Sequence, residues 1–551
     1  MLLDLCPIWP DLAWLLPGGL LYAEMHYRWW PLPSRYFRKE PEILADAPRR
    51  VEPGRQLPLL LLVKDAHRYP ITLERVTVEV ETGEGRQALP EIAIGCEISE
   101  HWWHQTVMLE RPLPSGDISL WVTFHYRSKG KSFGKAQDRL CTCTTHNLRS
   151  LKPRPLRVHL AAESLPGENV VWGDLHVHTS FTEDMMEFGA PLDAIRQAAT
   201  AAGLGFVCAT DHSYDLDDIA GDWRTPDPDL AKWRNFQGEV AALNEQGDGA
   251  LIVPGEEVSV RNASDQNVHS LALGHPEFLP GSGDAGERLF RTRSELDVEA
   301  FTQCLAPDSI AIAAHPCYHF PLIQQLLVRR GAWKSRDLQH PGICGLQVLN
   351  GRVDEDFFRG MAEWKDLLLR GHRKFVYAGS DAHGNFNMNR QIRTPFVSLE
   401  ERTTYVLGTC RTGVLGVQPG DMAGILAALK AGRCIISTGP FINLRITAEG
   451  RTAAIGETIR AGKVEVRLEL ASTAEFGPLA GFRLLRGLVG RGPEETLQEM
   501  SFDGERYSAK WEGAYDLEPG TTYFRAEVES RPPGRTITGL ALTNPIWVES
   551  S

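Results

Sequence analysis

The chain has no Cys-x-x-Cys. Its ten cysteines are scattered (Cys6, Cys96, Cys141, Cys143, Cys208, Cys304, Cys317, Cys344, Cys410, Cys434), with Cys141-x-Cys143 the one close pair. That pattern supports neither a zinc ribbon nor a disulfide framework, and reduced thiols in a cytoplasmic protein are the simplest reading. A Walker loop is missing. No Gly-x-Gly-x-x-Gly follows a strand-like run, and no Gly-x-Ser-x-Gly elbow occurs. Nucleoside-triphosphatase, dinucleotide-dependent and serine-hydrolase chemistries therefore have no support. Basic residues are in deficit, 58 Lys and Arg against 71 Asp and Glu, for a net charge of -13. Such a chain grips a phosphate backbone poorly, so no nucleic-acid partner is expected. A small anionic substrate stays open, because bound metal reverses a local field. The first 22 residues are largely apolar but carry Asp4, Asp11, Pro7, Pro10 and Pro17 and no basic stretch. They read as neither a signal peptide nor a spanning helix, and no membrane association is expected. Asn262-Ala263-Ser264 matches a glycosylation acceptor, but without a secretory signal the match reads as accidental.

The 551 residues, 42% of them hydrophobic, suffice for several ordinary globular cores. The pattern predicts three domains, at 1–165, 166–440 and 441–551. In the first, Leu59–Val63, Ile71–Glu81, Ile92–Glu97 and Ile118–Tyr126 are β-branched or apolar runs parted by Pro and Gly, which predicts a β-sandwich. Trp102-Trp103 reads as a strand start, and Ser128-Lys129-Gly130-Lys131 as a hairpin tip. The middle segment alternates strand and helix. Strands are expected at Val170–His178, Phe206–Thr210, Leu251–Pro254, Ile310–Ala314, Gly345–Leu349 and Phe375–Ala378. Helices are expected at Pro191–Ala202, Leu230–Gln246 and Asp421–Ala431, with a further strand at Arg433–Ser437. This rhythm predicts a parallel sheet or barrel. The last segment, with Val464–Leu470, Gly481–Leu485, Tyr523–Val528 and Leu540–Val548, predicts a second β-sandwich.

What is abundant in the middle segment is acid and histidine at the ends of apolar runs. Gly173-Asp174-Leu175-His176-Val177-His178, Thr210-Asp211-His212, Gly255-Glu256-Glu257, Asn267-Val268-His269, Ala314-His315-Pro316 and Gly379-Ser380-Asp381-Ala382-His383 all sit there. A strand alternates its side chains, so His176 and His178 point the same way and can clamp one ion, as can Asp381 and His383. A carboxylate such as Glu257 can bridge two ions where an imidazole cannot. Nitrogen and oxygen donors without thiolate suit zinc, manganese or iron. Such ions make hydroxide available near neutral pH and stabilise developing oxyanions, which points to hydrolysis rather than redox chemistry. Asp174 and Asp211 precede ligands and are expected to orient imidazoles. His275, His319 and Arg390 are the candidate catalytic or substrate-contact residues, and Tyr214 and Asp215 are candidate pocket residues.

On these residues the middle segment resembles the PHP (polymerase and histidinol phosphatase) superfamily. The resemblance implies a central distorted (β/α)7 PHP barrel flanked by N-terminal and C-terminal β-sandwich domains, a multidomain α/β plus all-β architecture. It implies two or three divalent metal ions (Zn, Mn or Fe). His176, His178, Glu257 and Asp381 would hold one ion, and Glu257 would bridge to a second held by His269 and His315. His212, His383 and Asp184 would hold a third. Glu183 lies at the family's usual spacing and competes with Asp184, as Glu256 competes with Glu257; Asp184 and Glu257 are the assignments. Glu187-Phe188-Gly189-Ala190-Pro191, Ala431-Gly432-Arg433, Ser437-Thr438-Gly439-Pro440 and Thr543-Asn544-Pro545-Ile546 are similar to the CehA/McbA-type metallohydrolases of that superfamily. The resemblance thus implies a cytoplasmic metal-dependent hydrolase using a metal-bound hydroxide on a small-molecule ester, with phosphoesters first and carbamate or carboxylic esters as the alternative. A homo-oligomer is compatible with this reading. A binding or scaffold protein with a vestigial metal site is the rival of a different class.

Overall fold

A computed structural model of the chain describes residues 40–110, 115–132, 135–147, 152–183, 189–283, 285, 292–320, 322–387, 391–393, 398–400, 405–532 and 539–550. Near the N-terminus, a three-stranded sheet (Glu42–Asp46, Leu57–Lys64, Trp102–Leu109) faces a seven-stranded one that includes Ile71–Thr82, Gly116–Ser132 and Leu156–Leu160. Period-two burial explains the pairing: Ile71, Leu73, Val76, Val78 and Val80 face inward, with the alternation reset by a bulge between Leu73 and Arg75. Ser128–Lys131 is not a hairpin tip, because Gly116–Ser132 runs on through it, paired with Lys135–Thr144. Leu57–Lys64 is buried along its whole length. Its Leu59, Leu61 and Val63 fill the N-terminal core, while Leu60 and Leu62 join the core that holds the helix Leu192–Ala202. One strand thus fastens the N-terminal sheets to the middle of the chain.

The middle segment corrects the expectation of a (β/α)7 barrel between separate sandwiches. Over the whole structure, strand outweighs helix, 48% to 15%. The middle strands belong to one sixteen-stranded sheet of mixed direction, in the order Phe375–Gly379, Ile343–Asn350, Ile310–Ala313, Asn267–Leu273, Leu251–Arg261, Phe206–Ala209, Val170–His178, Arg411–Leu415, Cys434–Ser437, Gly539–Thr543, Gly520–Ser530 and onward. Val170–His178, Phe206–Ala209 and Leu251–Arg261 are parallel. Asn267–Leu273 then runs antiparallel to both its neighbours, and Arg411–Leu415 antiparallel to Val170–His178. The reason is local. Leu251–Arg261 turns straight back through Asn262–Gln266, where Asn262 Oδ1 accepts from Ser264 N and Gln266 N and Asp265 adopts φ +57. That hairpin leaves no room for a crossover helix.

The helices that do form carry ordinary signals. Leu192–Ala202 stops at Gly203, φ +87, and a Cβ there would strike the Glu52 carboxylate. Glu355–Leu369 begins on Asp354, whose carboxylate accepts from Asp356 N and Phe357 N. No helix among the described residues is long and apolar enough to cross a membrane.

The large sheet crosses residue 440 without a break, because Cys434–Ser437 pairs with Gly539–Thr543. Behind its far end lies a four-stranded sheet (Arg451–Ala454, Phe441–Ala448, Lys463–Ala471, Ser508–Asp516), in which Val464, Val466, Leu468 and Leu470 alternate inward. Asn544 ties the two regions together: its side chain accepts from Val376 N and donates to Val376 O and Cys434 O.

Candidate metal centre

The curl of the large sheet brings distant strand ends together. Asp381 N donates to His176 O at 2.8 Å, and Ala382–His383 pairs in parallel with Val177 and His178. Glu257 N donates to Asp211 O, which sets His212 beside Glu257, and Ala314 N donates to His269 O, which places His315 next to His269. Two of these residues sit in the left-handed region, His315 at φ +29 and Asp381 at φ +56. Non-glycine residues persist there when the surroundings over-determine them, which is common at functional sites.

Seven expected ligands meet around an eighth, Glu257. Its Oε1 lies 2.6 Å from His269 Nδ1 and 3.1 Å from His315 Nε2. Its Oε2 lies 3.0 Å from His212 Nδ1 and 3.4 Å from both His176 Nε2 and His178 Nε2. Asp381 Oδ1 is 3.4 Å from the same two Nε2 atoms. The His383 ring stacks on His178 with centroids 4.0 Å apart. Three sets of donor atoms are compact enough to hold an ion: His176, His178, Glu257 and Asp381; His178, His212 and His383; and His212, Glu257 and His269. His176, His178, His212, Glu257 and His269 are buried, while His315, Asp381 and His383 are half-buried and form the open side.

The protonation pattern suits cations. Gln347 Nε2 donates to Asn350 Oδ1 and Gly379 O, so its Oε1 accepts the His176 Nδ1 proton at 2.9 Å. His178 Nδ1 pairs with Thr182 Oγ1, and His383 Nδ1 with Asp381 O. The Nε2 atoms of His176 and His178 then face each other at 3.1 Å. Two lone pairs that close repel unless a proton or a metal ion lies between them. Ligand nitrogens around tetrahedral zinc, at about 2.0–2.1 Å from the ion, sit about 3.3 Å apart. Burial would raise the Glu257 and Asp381 carboxyls, but the imidazoles around them hold both well below the usual carboxylate range. Burial drives His212 well below its ordinary value, so its ring is neutral. Its Nδ1 stands beside Glu257 Oε2 outside hydrogen-bond geometry. Burial would lower the imidazoles of His176 and His178, but Asp381 and Glu257 outweigh it and raise both, so a divalent ion would displace protons there. The ionised carboxylates and the neutral His212 are already in the forms an ion binds, and the donor set fits zinc, manganese or iron.

Several expected roles fall elsewhere. Asp174 and Asp211 orient no imidazole; they hold backbone. Asp174 accepts from His176 N, Ser380 N and Gly408 N, and Asp211 from Thr179 N, Thr179 Oγ1 and Thr182 N. The imidazole partners are Gln347 and Thr182. The sequence signal for Gln347 and Asn350 was faint, two amides in the otherwise apolar strand Ile343–Asn350. Glu256 faces away from Glu257, toward Trp233 Nε1, Ser213 Oγ and Leu279 N, and burial pushes its carboxyl up to about 8. Glu183 is committed to Lys64, His101 and Trp102. Asp184 and Arg390 lie outside the described residues. His275 is tied to a turn: its Nδ1 accepts from Ala306 N and meets Ser309 Oγ. His319 is exposed, and the cavity at the cluster's open side is lined by its neighbours His315 and Tyr318 instead. Tyr214 is buried and stacks on His212, centroids 4.5 Å apart.

No family model matches the chain, and no curated protein matches it. Among solved structures, a β-glucuronidase from Bacteroides uniformis is 8% identical over 92% of this chain, with a TM-score of 0.17. A trypsin-activated α2-macroglobulin from Escherichia coli is 10% identical over 93%, with a TM-score of 0.14. The chain spans 61% of the first and 24% of the second. Resemblances this faint carry no argument about fold or activity.

Proposed function

We propose that the chain is a metal-dependent hydrolase of small-molecule esters, with its centre built on Glu257 and Asp381 as in the PHP superfamily it resembles. The observation that carries this reading is the convergence of six imidazoles on two ionised carboxylates at buried strand ends. Divalent ions held there would lower the pKa of water to about 7 and stabilise negative charge developing on a substrate oxygen. The chain's own residues do the rest. Glu257 offers one oxygen to His269 and His315 and the other to His176, His178 and His212. Asn350 Nδ2 donates to Asp381 Oδ2, which leaves Oδ1 turned to the histidines. Gln347 keeps the His176 proton on Nδ1. The open side at Asp381, His315 and His383 is where a substrate reaches the cluster.

The bond cleaved follows from what adjoins that side. The resemblance favours a phosphoester. A second reading, a carbamate or carboxylic ester, is favoured by the small cleft beside His315, which Tyr318, Tyr405, Asn350, Asp354 and Asp356 help to line. No lysine or arginine is among its described lining residues, and two carboxylates are. A cavity of that character suits a neutral substrate better than a phosphate.

Elemental analysis of the purified protein, run beside hydrolysis of p-nitrophenyl phosphate, bis-p-nitrophenyl phosphate, 1-naphthyl acetate and 1-naphthyl N-methylcarbamate, tests both points. More than one equivalent of zinc, manganese or iron with turnover of one substrate class is expected. A protein that binds none of these metals and turns over nothing when each is supplied would return the chain to the binding-protein reading.

A further inference from the structure

We infer that Asp65, His67 and His101, at the rim of the N-terminal sheets, form a separate binding site for a zinc-class divalent cation. The inference does not depend on the function proposed for the middle of the chain. Leu57–Lys64 and Trp102–Leu109 are antiparallel partners with Lys64 opposite Trp102. The next residues outward, Asp65 and His101, therefore face each other where the strands end. Asp65 turns the chain with φ +67, Asp65 N donates to His101 O and His67 N donates to Glu100 O. The backbone is thus fixed before any side chain is considered.

On that frame His67 Nδ1 and His101 Nδ1 lie 3.1 Å apart, and Asp65 Oδ1 lies 3.5 Å from His101 Nδ1. All three donor atoms are within 4.8 Å of one another. Donors around tetrahedral zinc are separated by about 3.3 Å, given metal–nitrogen distances of about 2.0–2.1 Å. Three protein ligands and an open fourth position toward solvent complete the coordination number.

The surroundings support ligation by His101. Its Nε2 lies 2.5 Å from Glu183 Oε1. A carboxylate that takes the proton of the far ring nitrogen leaves the near one as a lone-pair donor, the arrangement typical of ligating histidines. Glu183 is itself fixed, by Lys64 Nζ at 2.9 Å and Trp102 Nε1 at 3.1 Å. Burial would raise its carboxyl, but Lys64 and His101 hold it well below the usual range.

Two cations nearby must be accommodated. Lys64 is balanced by Glu183 and by Asp65 Oδ2 at 3.6 Å. Arg68 Nε donates to His67 Nε2 at 3.1 Å. A ligating His67 keeps its proton on Nε2, so Arg68, an exposed side chain, has to swing away. The site has a structural consequence as well. Glu183 follows the segment in which Thr182 holds His178, so an ion on His101 would fasten the N-terminal sheets to the loop behind the metal centre.

The test uses the full-length protein stripped with a chelator and titrated with zinc alone. Diethylpyrocarbonate labelling is read peptide by peptide. Labelling of His67 is expected to fall about tenfold on zinc addition in the wild type, and equally in His176→Ala/Asp381→Asn, which lacks the central site. Bound zinc per chain should drop by one equivalent in Asp65→Asn/His67→Ala relative to wild type, with hydrolase turnover retained. Unchanged His67 labelling in saturating zinc would overturn the proposal. Protection that vanishes in His176→Ala/Asp381→Asn would overturn it too, because the effect would then originate at the central site.

Discussion

The two histidine clusters of this molecule differ in what holds their protons. At the centre, three of the nitrogens that face away from the cluster have protein partners: Gln347 for His176, Thr182 for His178, the Asp381 carbonyl for His383. The inward nitrogens of His176 and His178 face Glu257 and Asp381. At the rim, one ring is exposed, and its far nitrogen is held by Arg68, a side chain that can leave. The same residue types are thus committed in one place and adjustable in the other. A committed cluster should be sensitive to its supporting residues; an adjustable one should respond to metal concentration.

The largest expected effect breaks the comparison outright. Asp381→Asn combined with His176→Ala should abolish turnover and empty the central site while circular dichroism and the thermal transition show the fold retained; undiminished turnover would refute the central reading. A smaller effect sharpens it. Gln347→Ala frees the His176 ring without removing a ligand, and metal affinity measured by chelator competition should fall about 10- to 100-fold, the usual cost of an outer partner. Unchanged affinity would mean that burial alone orients the ring.

The smallest effect concerns the neighbouring glutamates. Glu257 is held ionised by imidazoles, whereas Glu256, buried against Trp233 and Leu279, has its carboxyl pushed up to about 8. A carboxyl raised in the folded state favours folding below its ordinary value near 4.5 and loses that contribution as pH rises through about 8. Wild-type Tm should therefore decline relative to Glu256→Gln across that window, by a few degrees. Parallel Tm profiles for the two proteins would contradict the assignment.

The central donors were legible because His-x-His and Asp-x-His at strand ends declare themselves through period two, which is a local property. The strands themselves were legible for the same reason; Ile71–Thr82 and Lys463–Ala471 alternate in plain sight. Strand direction was not. Nothing in the composition of Asn267–Leu273 says that it runs antiparallel, since that depends on a five-residue turn closed by Asn262. An outer partner such as Gln347 was hidden for a different reason: its meaning is set by a histidine 171 positions away in sequence. Glu183 competed with Asp184 on spacing alone, and its partners Lys64, His101 and Trp102 lie on or beside the N-terminal three-stranded sheet.

The unbroken hydrogen bonding from Val170–His178 through Arg411–Leu415 and Cys434–Ser437 to Gly539–Thr543 bears on where this protein can be cut. A fragment ending near residue 440 would keep every central donor, yet it would bare the outer edge of Cys434–Ser437 and strip Val376 of its Asn544 partner. An uncovered strand edge invites pairing with any other chain that reaches it. The last hundred residues therefore act as an edge guard for the very sheet that carries the metal donors.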